Sequence, residues 1–438
     1  MLPCSADLCN ARALWSGNVD GQGNIVPTLP AHPSVTRLTA TSQQPRESSG
    51  AARSTSVVVV RDLQKLSSLI PAWQELAEHA LERNIFYEHW MLLPALQAYG
   101  AGEDVGVALV LTESDGRRLG AGSLAGLFPV RLIPRFRNLN ISALSLWQHP
   151  HCYLCTPLVR ADCAVECVGG LLQWLRHGAC AGLLELPWIS ADGPFRTLLL
   201  ERCNGLGLTS WITESFTRGL WRQATDAADG PGAAVSGALR RRLRRQEKRL
   251  AESGRLEHVA MRPGDDIRRW IEEFLRVEAS GWKGARGSAL ACSESGQRYF
   301  TQIATAAFRS GRLLMLGLDY DGEPIARRCA FLAGDGSFAF KTAYDERFGH
   351  YSPGTILEID SLLQLQGLGR VRWMDSCAAP DNALINRISN DRKAIHSLAI
   401  AGGPLGEAVI SGLRLLRWTN RRLLRRRGSD DIPSDVAT

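Results

Sequence analysis

A stretch of small and turn-forming residues, ATDAADGPGAAVSG at 224–237, divides the chain into two runs of similar design. On each side of it the hydrophobic pattern predicts helices, an antiparallel hairpin, a further helix and a strand. The hairpin turn Ser114-Asp115-Gly116 in the first run corresponds to Asp321-Gly322-Glu323 in the second. A repeated order of elements with turns at matching places indicates an internal repeat. The sequence therefore predicts an α/β (α+β) protein built from two copies of one unit, with two mixed sheets flanked by helices.

Four segments result from this division of the 438 residues. Residues 1–55 are rich in Ser, Thr, Pro, Gly and Ala without periodicity, so we expect a disordered N-terminal segment. The two repeated units are expected at 56–223 and 236–402, since a chain of this length exceeds what one core usually serves. A basic amphipathic helix and tail are expected at 405–438.

The bulk composition, with 45% hydrophobic and 22% charged residues, is typical of a globular protein. No apolar run approaches the roughly 20 residues that span a bilayer, and the N-terminus lacks the pattern of a secretory signal. The 11 cysteines are an odd number and are unevenly scattered, which favours reduced thiols and a cytoplasmic location. Cys152 and Cys155 have CxxC spacing beside His149 and His151, which allows a zinc site. A second CxxC is missing, so buried thiols are favoured and no metal is expected.

The stretch SFAFKTAYDERFGHYSPGTIL at 337–357 predicts a strand, a charged turn and a helix. Ser352 is expected as the N-cap and Pro353 as the first helical residue. The backbone N–H groups of Gly354 and Thr355 are then expected to lack intrahelical partners and to point out of the helix. Such a helix start can hold a phosphate or pyrophosphate. The alternative is a well-capped helix with nothing bound.

Two short segments hold much of the basic charge. Residues 239–250 carry seven basic side chains around an apolar stripe, which fits an anionic surface or a solvated helix face. Residues 413–427 carry seven arginines, and the helix 405–427 combines them with leucines and Trp418. This pattern is typical of a helix that lies at a membrane interface. One interpretation of residues 405–427 is therefore peripheral contact with the inner face of the membrane, and nucleic acid is not the expected partner.

Several motifs of the second run resemble those of one family. They are LRRRLRR at 239–245, WKG at 282–284, GSAL at 287–290, AYDERF at 343–348, SPG at 352–354 and DSCA at 375–378, with Asn386, Arg387 and Arg392 after them. Together they resemble the CelD/BcsL-type acetyltransferases linked to bacterial cellulose and exopolysaccharide production. These are relatives of the FemAB-like tandem-GNAT transferases, in which two GNAT units pack about a pseudo-twofold axis. The resemblance covers roughly 57–400 and is specific in 239–392.

The resemblance implies a GNAT acyltransferase fold and acetyl-CoA as the co-substrate, with a sugar or amine as the acceptor. Acyl transfer needs donors for the CoA phosphates, an oxyanion donor and a route for a proton. The candidate residues for binding acetyl-CoA are Ser352, Gly354, Thr355 and Arg347. A backbone N–H near the end of the 338–343 strand is the expected oxyanion donor.

The catalytic candidates are Asp345, Tyr344 and Asp375. Asp345 is expected to act as base or to bind an amine, and the phenol of Tyr344 is a weak acid of the kind that suits protonation of the departing thiolate. Asp375 ends a strand, where polar groups of α/β sites gather. The alternative for all three is a structural role in a turn or cap.

The acceptor candidates are Trp282, Lys283 and Lys341. Trp282 can stack on a sugar ring or pack in the core, and Lys283 is expected to face the cleft or a carboxylate because an unpaired buried cation is costly. The first unit is expected to shape the acceptor groove.

One departure from the family is important. The common acyl-CoA loop ends in Gly or Ala, whereas here Thr355 and Ile356 follow Gly354. Two other functions therefore stay open: a catalytically silent scaffold that binds membrane or nucleic acid through its basic helices, and a FemAB-like transferase that uses aminoacyl-tRNA.

Overall fold

The computed structural model of the protein describes residues 18–19, 25–26, 54–112, 124–223 and 236–427. The segment 1–55 that we expected to be disordered lies almost entirely outside these residues, as do the turn at 114–116 and most of 224–237. The chain forms two compact units, Met1–Arg37 and Leu38–Thr438. In the first, strand β1 (Asn18–Val19) pairs antiparallel with β2 (Ile25–Val26). All further elements belong to the second unit.

The strands of the second unit, in chain order, are β3 (Thr55–Val60), β4 (Val105–Thr112), β5 (Leu124–Ile133), β6 (Ala143–Leu146), β7 (Leu158–Val159), β8 (Leu183–Ser190), β9 (Ser210–Arg222), β10 (Leu256–Ala260), β11 (Leu313–Tyr320), β12 (Glu323–Ala333), β13 (Gly336–Tyr344), β14 (Trp373–Asp375) and β15 (Asp391–Ala401).

The helices, in chain order, are α1 (Leu63–Ser68), α2 (Ile70–Glu78), α3 (His89–Tyr99), α4 (Ala164–His177), α5 (Pro194–Gly205), α6 (Gly237–Ala251), α7 (Ile267–Ser280), α8 (Trp282–Ala285), α9 (Glu294–Arg309), α10 (Pro353–Gly367), α11 (Ala383–Ile388) and α12 (Pro404–Arg427). Short 3-10 helices lie at Ile85–Tyr87, Ala161–Cys163, Leu290–Cys292 and Glu346–Tyr351.

Among the described residues, the strands of both repeats form one mixed sheet of 13 strands. Its order is β10-β11-β12-β13-β14-β9-β15-β8-β6-β5-β4-β3, with β7 paired to β5. The order reads similarly from both ends, because β3 to β6 of the first repeat correspond to β10 to β13 of the second. The mixed α/β architecture is therefore as predicted, and the internal repeat is visible in the strand order.

The expectation of two sheets is wrong, because the last strand of each repeat pairs with a strand of the other repeat. β9, the last strand of the first repeat, pairs with β14 of the second, and β15, the last strand of the second repeat, pairs with β8 of the first. β9 and β15 also pair with each other along most of their length. This exchange fills the edges that two separate sheets would leave unpaired. The boundaries predicted for the two repeats, 56–223 and 236–402, stay a prediction.

Helices cover both faces of the second repeat, as its central strand β12 shows. Residues Ile325–Ala333 of this strand are all buried, including two arginines in a row. Arg327 forms ion pairs with Glu273 of α7 and Asp319, while Arg328 pairs with Glu358 of α10. Neighbouring side chains on a strand point to opposite faces, so α7 and α10 lie on opposite sides of the sheet. Each buried cation is therefore matched by a carboxylate from the helix that covers it.

The cysteines of the CxxC pair are core residues. Cys152 and Cys155 are both buried, with sulfur atoms 3.8 Å apart, and the Cys152 thiol donates to the carbonyl of Leu154. Within 54–112, 124–223 and 236–427, no three His, Cys, Asp or Glu side chains come together as metal ligands would.

The two basic segments both form helices. α6 buries Leu243 and Leu250 against α10 and β11, with most of its arginines exposed. α12 buries Val409 and Ile410 against β8 and β15, while Leu415, Leu416 and Trp418 are exposed. No described helix has the length and apolar character needed to cross a membrane.

Candidate active-site cleft

A crevice opens where two parallel strands separate. β13 pairs with β14 only from Gly336 to Phe338, against Trp373 to Asp375. Beyond this point β13 continues to Tyr344, whereas the chain after Asp375 turns away through Cys377, whose φ is 51°. In the part of the chain that the structure describes, the edge of β13 beyond Phe338 has no strand beside it on the β14 side. Crevices at the carboxyl ends of parallel strands are the usual ligand sites of α/β proteins.

The crevice is a cleft of about 480 Å³ that both repeats line. Its walls include Phe340, Lys341 and Thr342 of β13, and Ser376 and Cys377 after β14. Trp282, Lys283, Glu358 and Asn382 come from the second repeat as well, while Pro150, His151 and Tyr153 come from the first. The structure therefore brings the three predicted acceptor residues Trp282, Lys283 and Lys341 together in one cleft, and it places first-repeat residues beside them.

A β-bulge shapes the wall that β13 contributes. The register with β12 shifts between the pairs Cys329–Lys341 and Ala330–Ala339, which leaves Phe340 as the extra residue. A bulge bends its strand and re-aims the side chains around it. Here it brings Phe340 and its neighbour Lys341 to the same cleft.

Two lysines that line the cleft share one carboxylate, Glu278, which is buried behind them. Lys341 Nζ lies 2.8 Å from Glu278 Oε1, and Lys283 Nζ lies 3.7 Å from the same oxygen. Lys283 also donates to the carbonyl of Thr342 at 3.3 Å. Burial lowers the pKa of Lys283, and the charge of Lys341 lowers it further. Lys283 therefore faces both the cleft and a carboxylate, as its sequence position predicted.

Helix α10 begins at the predicted residue, but its first turn differs from the expected one. Ser352 is the N-cap and Pro353 the first helical residue, but the Ser352 side chain makes no capping bond and its backbone is left-handed, with φ 59°. The expectation of an unpaired N–H at Thr355 is wrong, because this group donates to the carbonyl of Ser352 at 3.0 Å. The N–H of Thr355 is therefore bonded within a tight 3-10 turn at the helix start. Gly354 lies beneath Tyr344, and a Cβ there would come within 3.1 Å of the ring.

The carboxylate of Asp345 is occupied by hydrogen bonds within its own turn. It accepts hydrogen bonds from the backbone N–H, Nε and Nη2 of Arg347, the last at 2.6 Å. These bonds to Arg347 hold the pKa of Asp345 below its ordinary value. Asp345 and Arg347 thus pair with each other at the start of the 3-10 helix Glu346–Tyr351. Their predicted roles in base catalysis and phosphate binding stay predictions, and this contact favours the turn alternative.

Asp375 is fully buried at the seam between the repeats. Its carboxylate pairs with Arg218 of β9 at 2.7 Å and Lys393 of β15 at 3.0 Å, and it accepts from the N–H of Cys377 at 3.0 Å. Burial acts to raise the pKa of Asp375, but the charges of Arg218 and Lys393 outweigh it and hold the pKa well below the ordinary value. Arg218 also donates to the carbonyl of Tyr153. The environment of Asp375 is that of a structural ion pair, so its catalytic role stays a prediction.

Two cleft residues were not singled out from the sequence as site residues. Glu358 of α10 pairs with Arg328 at 2.9 Å and accepts from Thr342 Oγ1 at 2.6 Å. His151, noted only beside the CxxC pair, stacks on Tyr299. Burial and the nearby Lys341 lower its pKa to about 2, so the ring is neutral. A signal for Glu358 was available in the sequence, since it is an acid between the apolar residues Leu357 and Ile359, close to the expected anion site.

Comparisons with known proteins bear on the fold. Residues 237–382 match the model of the Acetyltransferase (GNAT) domain. No curated protein sequence matches the chain significantly. The crystal structure of FemX superposes with a TM-score of 0.51 at 10% identity, over 81% of this chain and 99% of that one. This likeness supports the fold.

Two further solved structures score lower. A conserved protein of unknown function from Bacteroides thetaiotaomicron has a TM-score of 0.47 at 11% identity, over 76% of this chain and 97% of that one. A tandem GNAT protein from the clavulanic acid biosynthesis pathway has a TM-score of 0.40 at 14% identity, over 80% and 99%. The predicted GNAT-like fold is confirmed by the domain match together with the FemX likeness. The second repeat thus contains a match to a GNAT acetyltransferase domain, and the protein is an acyltransferase.

Proposed function

We propose that the protein transfers an acyl group from acyl-CoA, most simply acetyl-CoA, to a sugar or amine acceptor in the cleft between β13 and β14. The observation that carries this proposal is the separation of the two parallel strands after Phe338 and Asp375. It leaves an edge of β13 to which an extended amide chain can bond as a further strand would, in competition with Lys283 at the Thr342 carbonyl. The pantetheine arm of CoA is such a chain.

In this proposal the phosphates of the donor bind at the start of α10. The N–H of Gly354 is at this helix N-terminus, where the helix dipole favours an anion. Helix α6 packs beside it, since Gln246 donates to the carbonyl of His350 at 2.8 Å. Its exposed arginines add positive charge near the donor phosphates. We assign the N–H groups of β13 near Phe340 to the oxyanion and Tyr344, which is exposed beside Gly354, to protonation of the departing thiolate.

Isothermal titration with acetyl-CoA tests the donor. We expect saturable heat at one site per chain, with a rise in melting temperature that depends on the ligand concentration. Neither heat nor a thermal shift at millimolar acetyl-CoA would overturn the proposal. Thioester turnover against amino sugars, nucleotide sugars and polysaccharide oligomers then identifies the acceptor class.

We place this activity in bacterial cellulose or exopolysaccharide biosynthesis, on the cytoplasmic side. The support is the set of CelD/BcsL-like motifs, of which Trp282, Lys283 and Ser376 line the cleft. Deletion of the gene in its host is expected to change the acylation or the yield of a secreted polysaccharide. An unchanged polymer would remove this setting and leave the acyl transfer itself to the titration with acetyl-CoA.

A second candidate donor is aminoacyl-tRNA, and one observation favours it. None of the seven basic side chains of α6 forms a salt bridge with a carboxylate among residues 54–112, 124–223 and 236–427, although α6 packs against α10, where the donor phosphates are proposed to bind. Unpaired arginines on one helix can bind a phosphate backbone. Salt-sensitive tRNA binding with a steep log–log slope, and no heat with acetyl-CoA, would favour this donor.

We also propose peripheral membrane contact through α12. Leu415, Leu416 and Trp418 are exposed on this helix, and the stretch 413–427 has seven arginines and no acid. Exposed leucines and a tryptophan among arginines suit an anionic lipid surface. We expect sedimentation with vesicles that contain phosphatidylglycerol and none with pure phosphatidylcholine vesicles. Binding to neither kind of vesicle would contradict the proposal.

A further inference from the structure

We infer that the acceptor taken by this cleft is an anionic sugar, whose carboxylate or phosphate is held by Lys283 and Lys341 beside the indole ring of Trp282. The inference rests on the proposed acyl transfer and names the class of its acceptor. Among the described residues that line the cleft, by contrast, no unpaired carboxylate is offered to a cationic acceptor.

The first step is the charge balance around these two lysines. Lys341 and Lys283 share a single oxygen, Glu278 Oε1, at 2.8 and 3.7 Å. The other oxygen of Glu278 already accepts from the backbone N–H of Leu290 at 2.9 Å. Two cations thus face one carboxylate that is itself buried behind them. One positive charge is left without a full counterion in a half-buried place, where charge is poorly screened.

The second step concerns the other ionisable groups around the cleft. Glu358 is held by Arg328 and Thr342, and Asp375 is held by Arg218 and Lys393. His151 is neutral, because burial keeps its pKa far below neutrality. The lowered pKa of Lys283 has the same origin, since burial and Lys341 both disfavour a further positive charge there. An anion that enters the cleft relieves this repulsion, and a cation increases it.

The third step is the shape of the rim. Trp282 precedes Lys283 in α8, and its side chain is 49% exposed. Its backbone N–H donates to Glu346 at 2.7 Å, which fixes the start of this short helix. The guanidinium of Arg286 lies 5.2 Å from the centre of the indole ring. An open aromatic face suits the apolar face of a sugar ring, and the neighbouring cations suit a negatively charged substituent.

Lys283 is the residue best placed to change partners. Its bond to the Thr342 carbonyl is 3.3 Å long and its distance to Glu278 is 3.7 Å, so both contacts are weak. Lys341, in contrast, is bound to Glu278 at 2.8 Å. Lys283 can therefore turn towards an incoming anion while Lys341 keeps Glu278 paired.

The test compares three sugars that share one ring: glucose, glucose 6-phosphate and glucuronate. Their affinities are measured by isothermal titration with wild-type protein and with Lys283→Gln, Lys283→Arg and Lys65→Gln, the last being an exposed lysine on α1. We expect at least one charged sugar to bind wild type tenfold or more tightly than glucose. Lys283→Gln is expected to reduce this preference at least fivefold, whereas Lys283→Arg and Lys65→Gln retain it. The better of the two charged sugars tells whether phosphate or carboxylate is the preferred anion.

Equal binding of charged and neutral sugars to wild type, no binding of either charged sugar, or an unchanged preference in Lys283→Gln would overturn the inference. Acetyl-CoA is titrated into the same four proteins. If acetyl-CoA binds all of them equally but no charge preference is seen, the acceptor class is wrong and the acyl transfer stands. If acetyl-CoA binds none of them, the proposed function itself fails.

Discussion

Two parallel strand pairs occupy corresponding places in the two repeats, and only the second of them opens into the cleft. In the first repeat β6 pairs with β8 through Leu144–Leu184 and Ser145–Glu185, and β6 ends at Leu146. The next residue, Trp147, is 1% exposed. In the second repeat β13 continues past its last pair with β14 and leaves its edge open to the cleft.

The difference lies in the residues after each strand pair rather than in the topology. Trp147 is held in place by three bonds: its Nε1 donates to Glu103 at 2.6 Å, its backbone N–H donates to the Pro129 carbonyl at 2.8 Å, and its carbonyl accepts from the Tyr87 hydroxyl at 2.9 Å. In the second repeat, the bulge at Phe340 and the lysines line open space at the corresponding place. This place is thus packed closed in the first repeat and is an open cleft in the second.

The largest expected effect comes from breaking the seam that joins the two repeats. Asp375→Ala leaves Arg218 buried without its carboxylate, so we expect the free energy of unfolding to fall by about 3–5 kcal/mol. Urea denaturation followed by circular dichroism measures this. Asp381→Ala, an exposed position in the same loop, is the control and should cost less than about 0.5 kcal/mol. An Asp375→Ala protein with full stability and no turnover would restore the catalytic role.

Removal of the Trp147 side chain in the first repeat tests whether it hides a second site. Trp147→Ala is expected to cost about 3–5 kcal/mol, because a large buried side chain is lost and a cavity is left. The stoichiometry of acetyl-CoA in a titration is expected to stay at one per chain, since the first repeat has no Ser-Pro-Gly-Thr helix start. A stoichiometry of two would mean that both repeats hold a donor site.

A charge placed at the start of α10 tests the site of the second repeat alone. Gly354→Asp puts a carboxylate where donor phosphates are proposed to bind, so we expect acetyl-CoA affinity to fall about 100-fold, or about 2.8 kcal/mol. Gly354→Ala separates the steric effect near Tyr344 from the charge, and Gly367→Asp places the same charge at the far end of the helix. Retained affinity in Gly354→Asp would move the donor site elsewhere.

The smallest effect concerns the contacts of His258, which join the basic helix α6 to the rest of the second repeat. His258 of β10 contacts Asp360 of α10 at 2.7 Å and Glu247 of α6 at 3.3 Å. Hydrogen bonds to these carboxylates, Asp360 first, raise the pKa of His258 to about 10. A raised pKa in the folded state means that the stabilisation is complete below the unfolded pKa of about 6.5 and is lost as pH rises through about 10.

His258→Gln should therefore cost about 0.5–1 kcal/mol at pH 6, the size expected for a partly exposed ion pair. The deficit relative to wild type should disappear near pH 10.5. Urea midpoints of the two proteins at both pH values check this, and a deficit that is constant with pH would show that the contact acts through packing instead.

Much of the local structure of the second repeat could be predicted from the sequence. The strand Leu313–Tyr320, the start of α10 at Pro353 and the helix start near Glu294 are where hydrophobic periodicity and capping residues place them. These features depend on neighbours within a few residues, so the sequence pattern contains their cause. The clustering of Trp282 with Lys283 was also predictable, because the two are adjacent in the chain.

Contacts between distant parts of the chain could not be predicted in this way. Asp375 was expected in the site because it ends a strand, but its partner Arg218 lies 157 positions away and is brought to it by β9. Strand β15 was not predicted at all, since its alternation of charged and apolar residues near Asp391 is weak and both strands beside it, β8 and β9, belong to the first repeat. The left-handed backbone at Ser352 depends on the turn before it and has no residue signal of its own.

The exchange of β9 and β15 also sets an order for biosynthesis. When β8 leaves the ribosome, one of its edges has no partner until residues 391–401 are made, because β15 is the strand that pairs there. This edge of β8 therefore stays unpaired until almost the whole of the second repeat has been translated. Unpaired edges of this kind attract other chains. A chain that stops before residue 391 would therefore keep this edge of β8 unpaired, which favours aggregation and recognition by chaperones.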